Sequence, residues 1–225
     1  MKITQPGFMC GCDTLYFNQL GKILYASVRE HAPWAHMHFH IFDATTDDLA
    51  WTSSQENCSA SSEVTPDEYN QNIEQRRAYW SNMRWVRVLD YYDDTTPVID
   101  IDADCVMVKP LSQEQFLSDL QRSWVPTAPK RDQRSLASAV GFAPDQARYR
   151  FAELLLDIKN NSYFQWADDQ RMLDIMIDTG EISLMDLRYT DYKFKDSSYV
   201  WTGKGERKNG AKKGWRFVEV SKKYQ

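Results

Sequence analysis

Apolar and polar residues alternate along the first 110 residues with two periods, that of a strand and that of a helix. Residues 3–9 and 36–42 have the strand period, and residues 17–31 carry apolar side chains at helical spacing. We predict a turn at residues 10–14. Residues 43–64 are rich in Thr, Ser, Asp and Asn, and this composition predicts a loop.

Two short sequences have the residues that commonly begin helices. At residues 65–68, Thr-Pro-Asp-Glu combines a capping threonine, a proline at the first helical position and a glutamate three residues on. This predicts a helix that runs to about residue 92, with one possible break. Ser112 with Gln115 forms a second such pair, which predicts a helix through residue 120.

The rest of the chain continues to alternate between the two periods. We predict strands at residues 98–102, 105–108, near Trp124, 136–142, 182–187 and 199–202, and helices at 144–158 and 167–177. Strands that alternate with helices predict an α/β fold, with a mixed, mostly parallel sheet flanked by helices. We predict a single domain over residues 1–208, followed by a basic segment at 209–225.

Composition and charge narrow the class of protein. The 225 residues, 42% of them apolar, suffice for one well-packed domain. With 27 basic and 32 acidic residues the net charge is −5, which argues against a nucleic-acid-coating protein. No apolar run is long enough to span a bilayer, and the N-terminus lacks a secretory signal. We therefore expect no transmembrane segment and a cytoplasmic location.

Three aspartates alternate where an apolar segment ends, at Asp100, Asp102 and Asp104. Residues two apart on a strand share a face, at roughly 6.6 Å from one to the next. Ionised carboxylates so close raise one another's pKa, and a hard divalent cation replaces that repulsion with coordination. A solvated acidic turn would explain them without metal. Because open α/β sheets bind ligands where strands end, the position favours a metal site.

Several segments resemble, in order, the motifs of one enzyme family. Asp-Ala-Asp-Cys-Val-Met-Val at residues 102–108 resembles the Asp-x-Asp motif of nucleotide-sugar-dependent glycosyltransferases. Trp-Ala-Asp-Asp-Gln at 166–170 resembles the Asp-Gln motif of retaining glycosyltransferase family 8, which includes glycogenin and bacterial lipooligosaccharide galactosyltransferases. Further motifs of this family correspond to residues 12–16, 81–85, 136–140 and 200–203. The resemblance runs from about residue 3 to 208 and rests on order and spacing.

This resemblance implies a GT-A-like fold and the transfer of a sugar from a nucleotide-diphosphate donor to an acceptor. Uridine diphosphate is the expected nucleotide, and the sugar and acceptor stay open. The cofactor would be Mn²⁺, with Mg²⁺ as a substitute, held by Asp102 and Asp104. Asp100 ranks below them as a ligand. The family retains the anomeric configuration, and since the sequence has no obvious nucleophile we expect front-side attack within an ion pair.

The resemblance also implies which residues bind the donor nucleotide. Asp13 and Tyr16 would hold the nucleoside, although Tyr16 could equally be the first apolar residue of a helix. Arg84 would neutralise the diphosphate or hold the sugar; a surface ion pair is the plain alternative. Lys204 and Lys208 lie in a sequence where glycines alternate with cations, and they would close over the leaving phosphates. Asp102 would reach the same phosphates through the metal.

The sugar side of the site is implied by the Asp-Gln motif. Asp169 would orient hydroxyl groups and Gln170 would lie near the anomeric carbon, whereas a helix start favours Asp for its dipole alone. Two positions depart from the family's pattern. Val200 stands where a third metal ligand, a histidine, is expected, and Ala137 stands where the sugar pocket usually has an asparagine.

Three other interpretations remain open at this stage. In a phosphohydrolase of the haloacid dehalogenase type, Asp100 and Asp102 would be nucleophile and acid/base, with residues 168–169 as the metal pair. The strand histidines His36, His38 and His40 could bind zinc, although a polar strand face explains them as well. A third interpretation is an inactive fold that binds a nucleotide sugar or glycan without turnover.

Overall fold

The computed structural model describes residues 2–127, 135–211 and 214–225 of the chain. Its main sheet has the strand order β3-β2-β1-β4-β7-β6-β8, and a two-stranded sheet pairs β5 with β9. The strands are Gly7–Asp13 (β1), His36–Phe42 (β2), Cys58–Glu63 (β3), Val98–Ile101 (β4), Cys105–Met107 (β5), Trp124–Pro126 (β6), Ala139–Phe142 (β7), Ser183–Met185 (β8) and Val200–Thr202 (β9).

The sheet is mixed and mostly parallel, which confirms the predicted fold class. Strands β1 to β4 run in parallel, and β7 pairs antiparallel with β4 and β6. The chain moves outward from β1 through β2 to β3, and then returns to place β4 on the other side of β1. The strand order therefore reverses between β1 and β4, and open α/β sheets bind ligands outside the carboxyl ends of the strands at such a point.

Helices cover both faces of the sheet. They are Thr14–Tyr16 (α1), which continues through a π-helical turn at Phe17–Gly21, Lys22–His31 (α2), Thr46–Ser53 (α3), Ile73–Tyr91 (α4), Gln113–Asp119 (α5), Ala147–Asn161 (α6), Asp168–Asp178 (α7) and Trp215–Lys222 (α8). One buried cluster joins β1 and β2 to α2, and a second joins the opposite face to α4, α6 and α7. None of the helices described here is long and apolar enough to cross a membrane.

The small β5–β9 sheet brings the C-terminal part of the chain to the end of β4. Cys105 pairs with Thr202, and the amide of Gly203 donates to the carbonyl of Asp104 over 2.7 Å. Phe217 of α8 packs in a satellite cluster with Val106. Residues just after Thr202 therefore lie beside the acidic triplet, although about 100 residues separate them in sequence.

Two predictions about the first 64 residues are wrong. Strand β1 does not stop at residue 9 but continues to Asp13, so the predicted turn at 10–14 is strand and then helix. The predicted loop at 43–64 contains helix α3, capped by Thr45 in a complete capping box, and the half-buried strand β3. The serines of β3 pair with histidines of β2, so they are polar without being loop residues.

The predicted helix start at Thr65 is also wrong. The hydroxyl of Thr65 binds the Asp43 carboxylate at 2.6 Å and accepts from the Trp80 indole at 2.8 Å. Helix α4 begins only at Ile73, where the Asn72 side chain caps it. At the second predicted start, Ser112 does cap α5. The run Lys-Arg-Asp-Gln-Arg at residues 130–134 predicts a charged loop, and these residues lie outside the part of the chain that the structure describes.

Candidate active site

The acidic triplet lies at the carboxyl end of β4, beside the point where the strand order reverses. Asp100 is the third residue of β4, and Asp102 follows the strand directly. The amide of Asp102 donates to the carbonyl of Ser138 over 2.9 Å, which extends the β4–β7 pairing by one position. Asp104 lies in the following turn, with its side chain 13% exposed. Sequence and structure agree that these three carboxyl groups occupy one edge of the sheet.

Helix α4 brings the buried Arg84 to this edge. Its guanidinium forms an ion pair with Asp102, donates to the carbonyl of Ala137 over 2.8 Å and stacks 4.0 Å from the Trp85 ring. The helix can approach β1 this closely because Gly11 has no side chain: a Cβ there would lie 2.2 Å from the Cβ of Arg84. Arg84 is thus fixed by the fold and is not a surface arginine.

The charges around Arg84 explain its pKa. Burial alone would lower it, but the carboxylates of Asp102, Asp100 and Asp169 outweigh burial and raise it. Arg84 is therefore a permanent buried cation. It is held among more acidic groups than it can neutralise.

Asp100 is the most deeply buried member of the triplet. It is fully buried, and neither carboxylate oxygen has a hydrogen-bond partner. Burial raises its pKa well above the usual range, Arg84 opposes this, and Asp102 adds to it. A carboxyl group with no exposed surface is poorly placed as the nucleophile of a phosphohydrolase, so the geometry does not favour that interpretation.

The first turn of α7 contributes the two residues of the Asp-Gln motif. Asp169 is buried and accepts from the Trp85 indole over 3.2 Å and from the Gln170 amide over 2.8 Å. Burial raises the pKa of Asp169, and the charge of Arg84 opposes the shift. The side-chain oxygen of Gln170 accepts from the Ala137 amide over 3.0 Å, and its nitrogen donates to Ser135. Both residues therefore lie on the same edge as Arg84.

Lys208 connects the C-terminal segment to both sides of the site. Its ammonium group donates to the Tyr16 hydroxyl over 2.6 Å, lies 4.6 Å from the Tyr16 ring centre and is 3.8 Å from the Asp104 carboxylate. Lys204 is exposed nearby. The pKa of Asp104 is raised to about 6 by burial and by the charge of Asp102, while Lys208 and Lys204 lower it.

Asp13 lies at the end of β1 and begins the helical segment that contains Tyr16. Its carboxylate accepts from the amide of Tyr16 over 2.7 Å, so it is the N-cap of α1. Tyr16 is half-buried, and its hydroxyl faces Lys208. The structure thus brings the predicted nucleoside residues close to the predicted phosphate residues.

Val200 does not face the acidic triplet. It pairs with Met107 in the β5–β9 sheet, and its side chain lies in the main core cluster. Thr202 lies two residues further along β9, and its hydroxyl contacts the Cys105 sulfur at 3.2 Å and the Thr190 hydroxyl at 3.0 Å. Among residues 2–127, 135–211 and 214–225, no group of three or more His, Cys, Asp or Glu side chains is arranged to hold a metal.

Sequence reasoning missed the residues that position the site. Trp85 supports both Arg84 and Asp169. The hydroxyl of Ser135 donates to the Asp174 carboxylate over 2.7 Å and accepts from the side-chain nitrogen of Gln170. A tryptophan directly after the motif arginine was the available signal for Trp85. Nothing in the pattern around Ser135 distinguishes it from an ordinary loop serine.

The strand histidines bind serines of the neighbouring strand. Ser59 lies between His36 and His38, with oxygen–nitrogen distances of 2.8 Å to each. Ser61 lies between His38 and His40, with distances of 2.9 Å to each. These bonds form a chain between β2 and β3, here called the His–Ser ladder. The polar-face interpretation of these histidines accounts for the contacts that their rings make.

Comparison with known proteins adds two similar structures. No family model matches the chain, and no curated protein sequence does. The apo form of glycosyltransferase GlyE of Streptococcus pneumoniae TIGR4 is similar, with a TM-score of 0.64 and 13% identity over 97% of this chain and 60% of that one. A second GlyE structure has a TM-score of 0.60 and 13% identity over 96% and 61%.

The likeness identifies the fold as that of these glycosyltransferases. At 13% identity it concerns the backbone architecture, and the chain spans about three fifths of the length of the GlyE chains. The fold places the acidic triplet, Arg84 and the Asp-Gln motif at the edge where open α/β sheets bind ligands. Activity has to be argued from the chemistry of those residues.

Proposed function

We propose that the protein is a metal-dependent glycosyltransferase that moves a sugar from a uridine-diphosphate donor to an acceptor, with retention of configuration. The observation that carries this proposal is a surplus of carboxyl groups over cations at one edge of the sheet. Asp100, Asp102 and Asp169 act on the pKa of Arg84, and the Asp104 carboxylate lies 3.8 Å from the ammonium group of Lys208. Such a surplus suits a site completed by a divalent cation.

The residues present fit Mn²⁺ or Mg²⁺ when the donor supplies part of the shell. Such cations are commonly bound by one or two carboxylates plus phosphate oxygens and water. Asp102 and Asp104 offer oxygen atoms on neighbouring positions, and each engages a cation through one named oxygen, which leaves the other oxygen for a metal. This arrangement needs no histidine at Val200. When bound, the metal would neutralise charge that develops on the departing diphosphate.

Fixed cations of the chain would assist the same step. Breaking the bond between the anomeric carbon and the diphosphate leaves negative charge on phosphate oxygens, and preorganised donors stabilise it most. Arg84 is rigidly held by Asp102, Ala137 and Trp85, so little reorganisation is needed. Lys204 and Lys208 would cover the phosphates from the opposite side and exclude water that would hydrolyse the donor.

The remaining roles follow from position. Asp13 and Tyr16, at the end of β1, would hold the nucleoside next to Lys208. Asp169 would orient hydroxyls of the sugar or the acceptor, and Gln170, tied to the β7 side through the Ala137 amide, would lie near the anomeric carbon. No side chain among these is a free nucleophile, which supports front-side attack by the acceptor hydroxyl within an ion pair.

A thermal-shift panel tests the proposal. UDP, GDP, ADP and CDP are each added with Mn²⁺ or with EDTA, and we expect UDP with Mn²⁺ to raise the unfolding temperature most, because ligands that bind the folded state stabilise it. Asp104→Asn should abolish the metal-dependent part of the shift. Equal shifts for all four nucleotides, or a shift that persists in EDTA, would contradict the proposal.

A second candidate function is binding without turnover. The observation that favours it is Val200, whose side chain lies in the core instead of completing a metal shell. Incubation with UDP-glucose and UDP-galactose separates the two functions, since a working transferase releases UDP slowly through hydrolysis even without its acceptor. Nucleotide binding with no UDP release from any donor would favour the binding protein.

A further inference from the structure

Two large aromatic side chains are exposed immediately before the Asp-Gln motif. Trp166 is 69% exposed and Tyr163 is 56% exposed, whereas most other tryptophans and tyrosines of the described chain are at least partly buried. Exposed aromatic groups close together commonly mark a binding surface. They lie on the segment that joins α6 to α7.

This segment is held rigidly. The carbonyl of Gln165 accepts from the Asn82 side chain over 3.3 Å, and the amide of Gln165 donates to the buried Asp168 carboxylate over 2.6 Å. Ala167 has a φ of 69°, a left-handed conformation that costs free energy for a residue with a Cβ. Strain of this kind persists where the surroundings enforce it, and here it accompanies the exposure of an indole ring.

Tyr163 also lines a cleft of about 470 Å³ between α6 and α7, here called the α6–α7 cleft. Met172 and Ile175 give it an apolar floor, and Gln165 and Asp174 supply hydrogen-bonding groups. Its arginine, Arg171, is paired with Asp168. Such a lining suits an uncharged ligand that has both apolar faces and hydroxyl groups, which is the chemistry of a saccharide.

A chain of hydrogen bonds runs from the lining of the cleft to Gln170 of the proposed site of transfer. Asp174 lines the cleft and accepts from Ser135 over 2.7 Å, and Ser135 in turn accepts from Gln170. Trp166 precedes Asp169 by three residues, so their Cα atoms are at most about 11 Å apart. A short oligosaccharide could therefore contact the aromatic rings while its end reaches the transfer site.

We propose that the α6–α7 cleft, with the exposed face of Trp166, binds a neutral saccharide chain of the acceptor. The identification of this saccharide as the acceptor rests on the proposed transferase function, whereas saccharide binding itself does not depend on transfer. The rings of Trp166 and Tyr163 stack on sugar faces, and Gln165 bonds to sugar hydroxyls. Rigid presentation reduces the entropy lost on binding.

Binding to a printed array of neutral oligosaccharides, without nucleotide or metal, tests the inference. The array carries α- and β-linked glucans, galactans, mannans and chitooligosaccharides. We expect the wild type to bind at least one of these classes, and Trp166→Ala and Tyr163→Ala to weaken binding about tenfold or more. Trp215→Ala is the matched control, because Trp215 is 58% exposed on α8 and should not affect binding.

The outcomes separate this inference from the proposed function. UDP binding in the presence of Mn²⁺ should be the same for wild type and Trp166→Ala, and in a transfer assay the variant should raise the acceptor KM while the donor KM stays constant. Absence of binding across the array, or equal binding by wild type and Trp166→Ala, would overturn the inference. So would a dimer that Trp166→Ala dissociates, observed by light scattering, without any saccharide binding.

Discussion

Arg84 is a cation that the fold buries among carboxylates at the candidate site. Its guanidinium contacts Asp102, the Ala137 carbonyl and the Trp85 ring at once. The family resemblance of residues 81–85 predicted an arginine near the acidic motif. Its burial was not predictable, because that depends on Gly11, which is far away in sequence and admits the helix.

Replacing Arg84 tests this arrangement. We expect Arg84→Met to lower the free energy of unfolding by about 3 kcal/mol, because it leaves the neighbouring carboxylates without their buried partner. This is the low end for a buried pair, since Asp102 is 29% exposed and keeps contact with water. Urea denaturation in EDTA measures the change.

A double-mutant cycle with Asp102→Asn provides the control. If the two side chains interact as described, the double variant should be less destabilised than the sum of the single variants. Strict additivity would mean that Arg84 stabilises the protein through its other contacts instead.

Val200 departs from the family's motif in the sequence, and the structure shows that its side chain serves packing. It pairs with Met107 across the β5–β9 sheet, and its side chain lies in the main core cluster. A shift of one residue reverses the face of a strand, and register depends on pairing with a distant segment. The sequence around residue 200 does not indicate that pairing.

At the scale of elements, the His–Ser ladder explains why strand β3 was missed. The serines of β3 fill the space beside the histidine rings of β2 and give those rings their hydrogen-bond partners. A serine-rich stretch usually indicates a loop because serine side chains compete for the hydrogen bonds of the regular backbone. Here the histidine rings of the neighbouring strand provide the partners of the serine hydroxyls instead. The helices with strong apolar stripes, α6 and α7, were predicted closely because their packing requires no such special partner.

The ladder makes stability depend on pH. Burial, together with His40 and His36, lowers the pKa of His38 from 6.5 to about 3. Since the folded-state pKa is below the unfolded one, the unfolded state takes up a proton first as the pH falls. The stability contributed by neutral His38 is therefore complete above about pH 6.5 and is lost toward pH 3, at up to about 1.4 kcal/mol per pH unit.

Denaturation by urea between pH 7 and pH 4.5 measures this slope. We expect His38→Gln to have a lower stability at pH 7 and a flatter dependence on pH than the wild type, because glutamine does not titrate. An unchanged slope in the variant would show that other groups account for the acid sensitivity.

Across the whole molecule, the candidate site is assembled from both ends of the chain. Lys208 contacts Tyr16 and Asp104, and its bond to Tyr16 joins residues separated by 192 positions. The order of motifs in the sequence predicted that these residues share a site. It predicted both strands of the small β5–β9 sheet but not that they pair and carry the C-terminal segment there, since pairing joins segments that are distant in sequence.

Lys208 provides a test at this scale. We expect Lys208→Met to weaken UDP binding in the presence of Mn²⁺ about tenfold, because a phosphate loses one charge-assisted contact. Isothermal titration calorimetry measures the dissociation constant. Lys222→Met is the matched control, as Lys222 is exposed on α8. Equal weakening by both variants would indicate a general effect of net charge instead of a contact.

The joining of Tyr16 to Lys208 has a consequence for biosynthesis. Domains fold as units while the ribosome synthesises them from the N-terminus. About 100 residues are synthesised between the acidic triplet and its lysine partner, Lys208. A nascent chain should therefore present these carboxyl groups without that lysine until the later segment has been made, so the contacts of Lys208 with Tyr16 and Asp104 form only after the triplet has been synthesised.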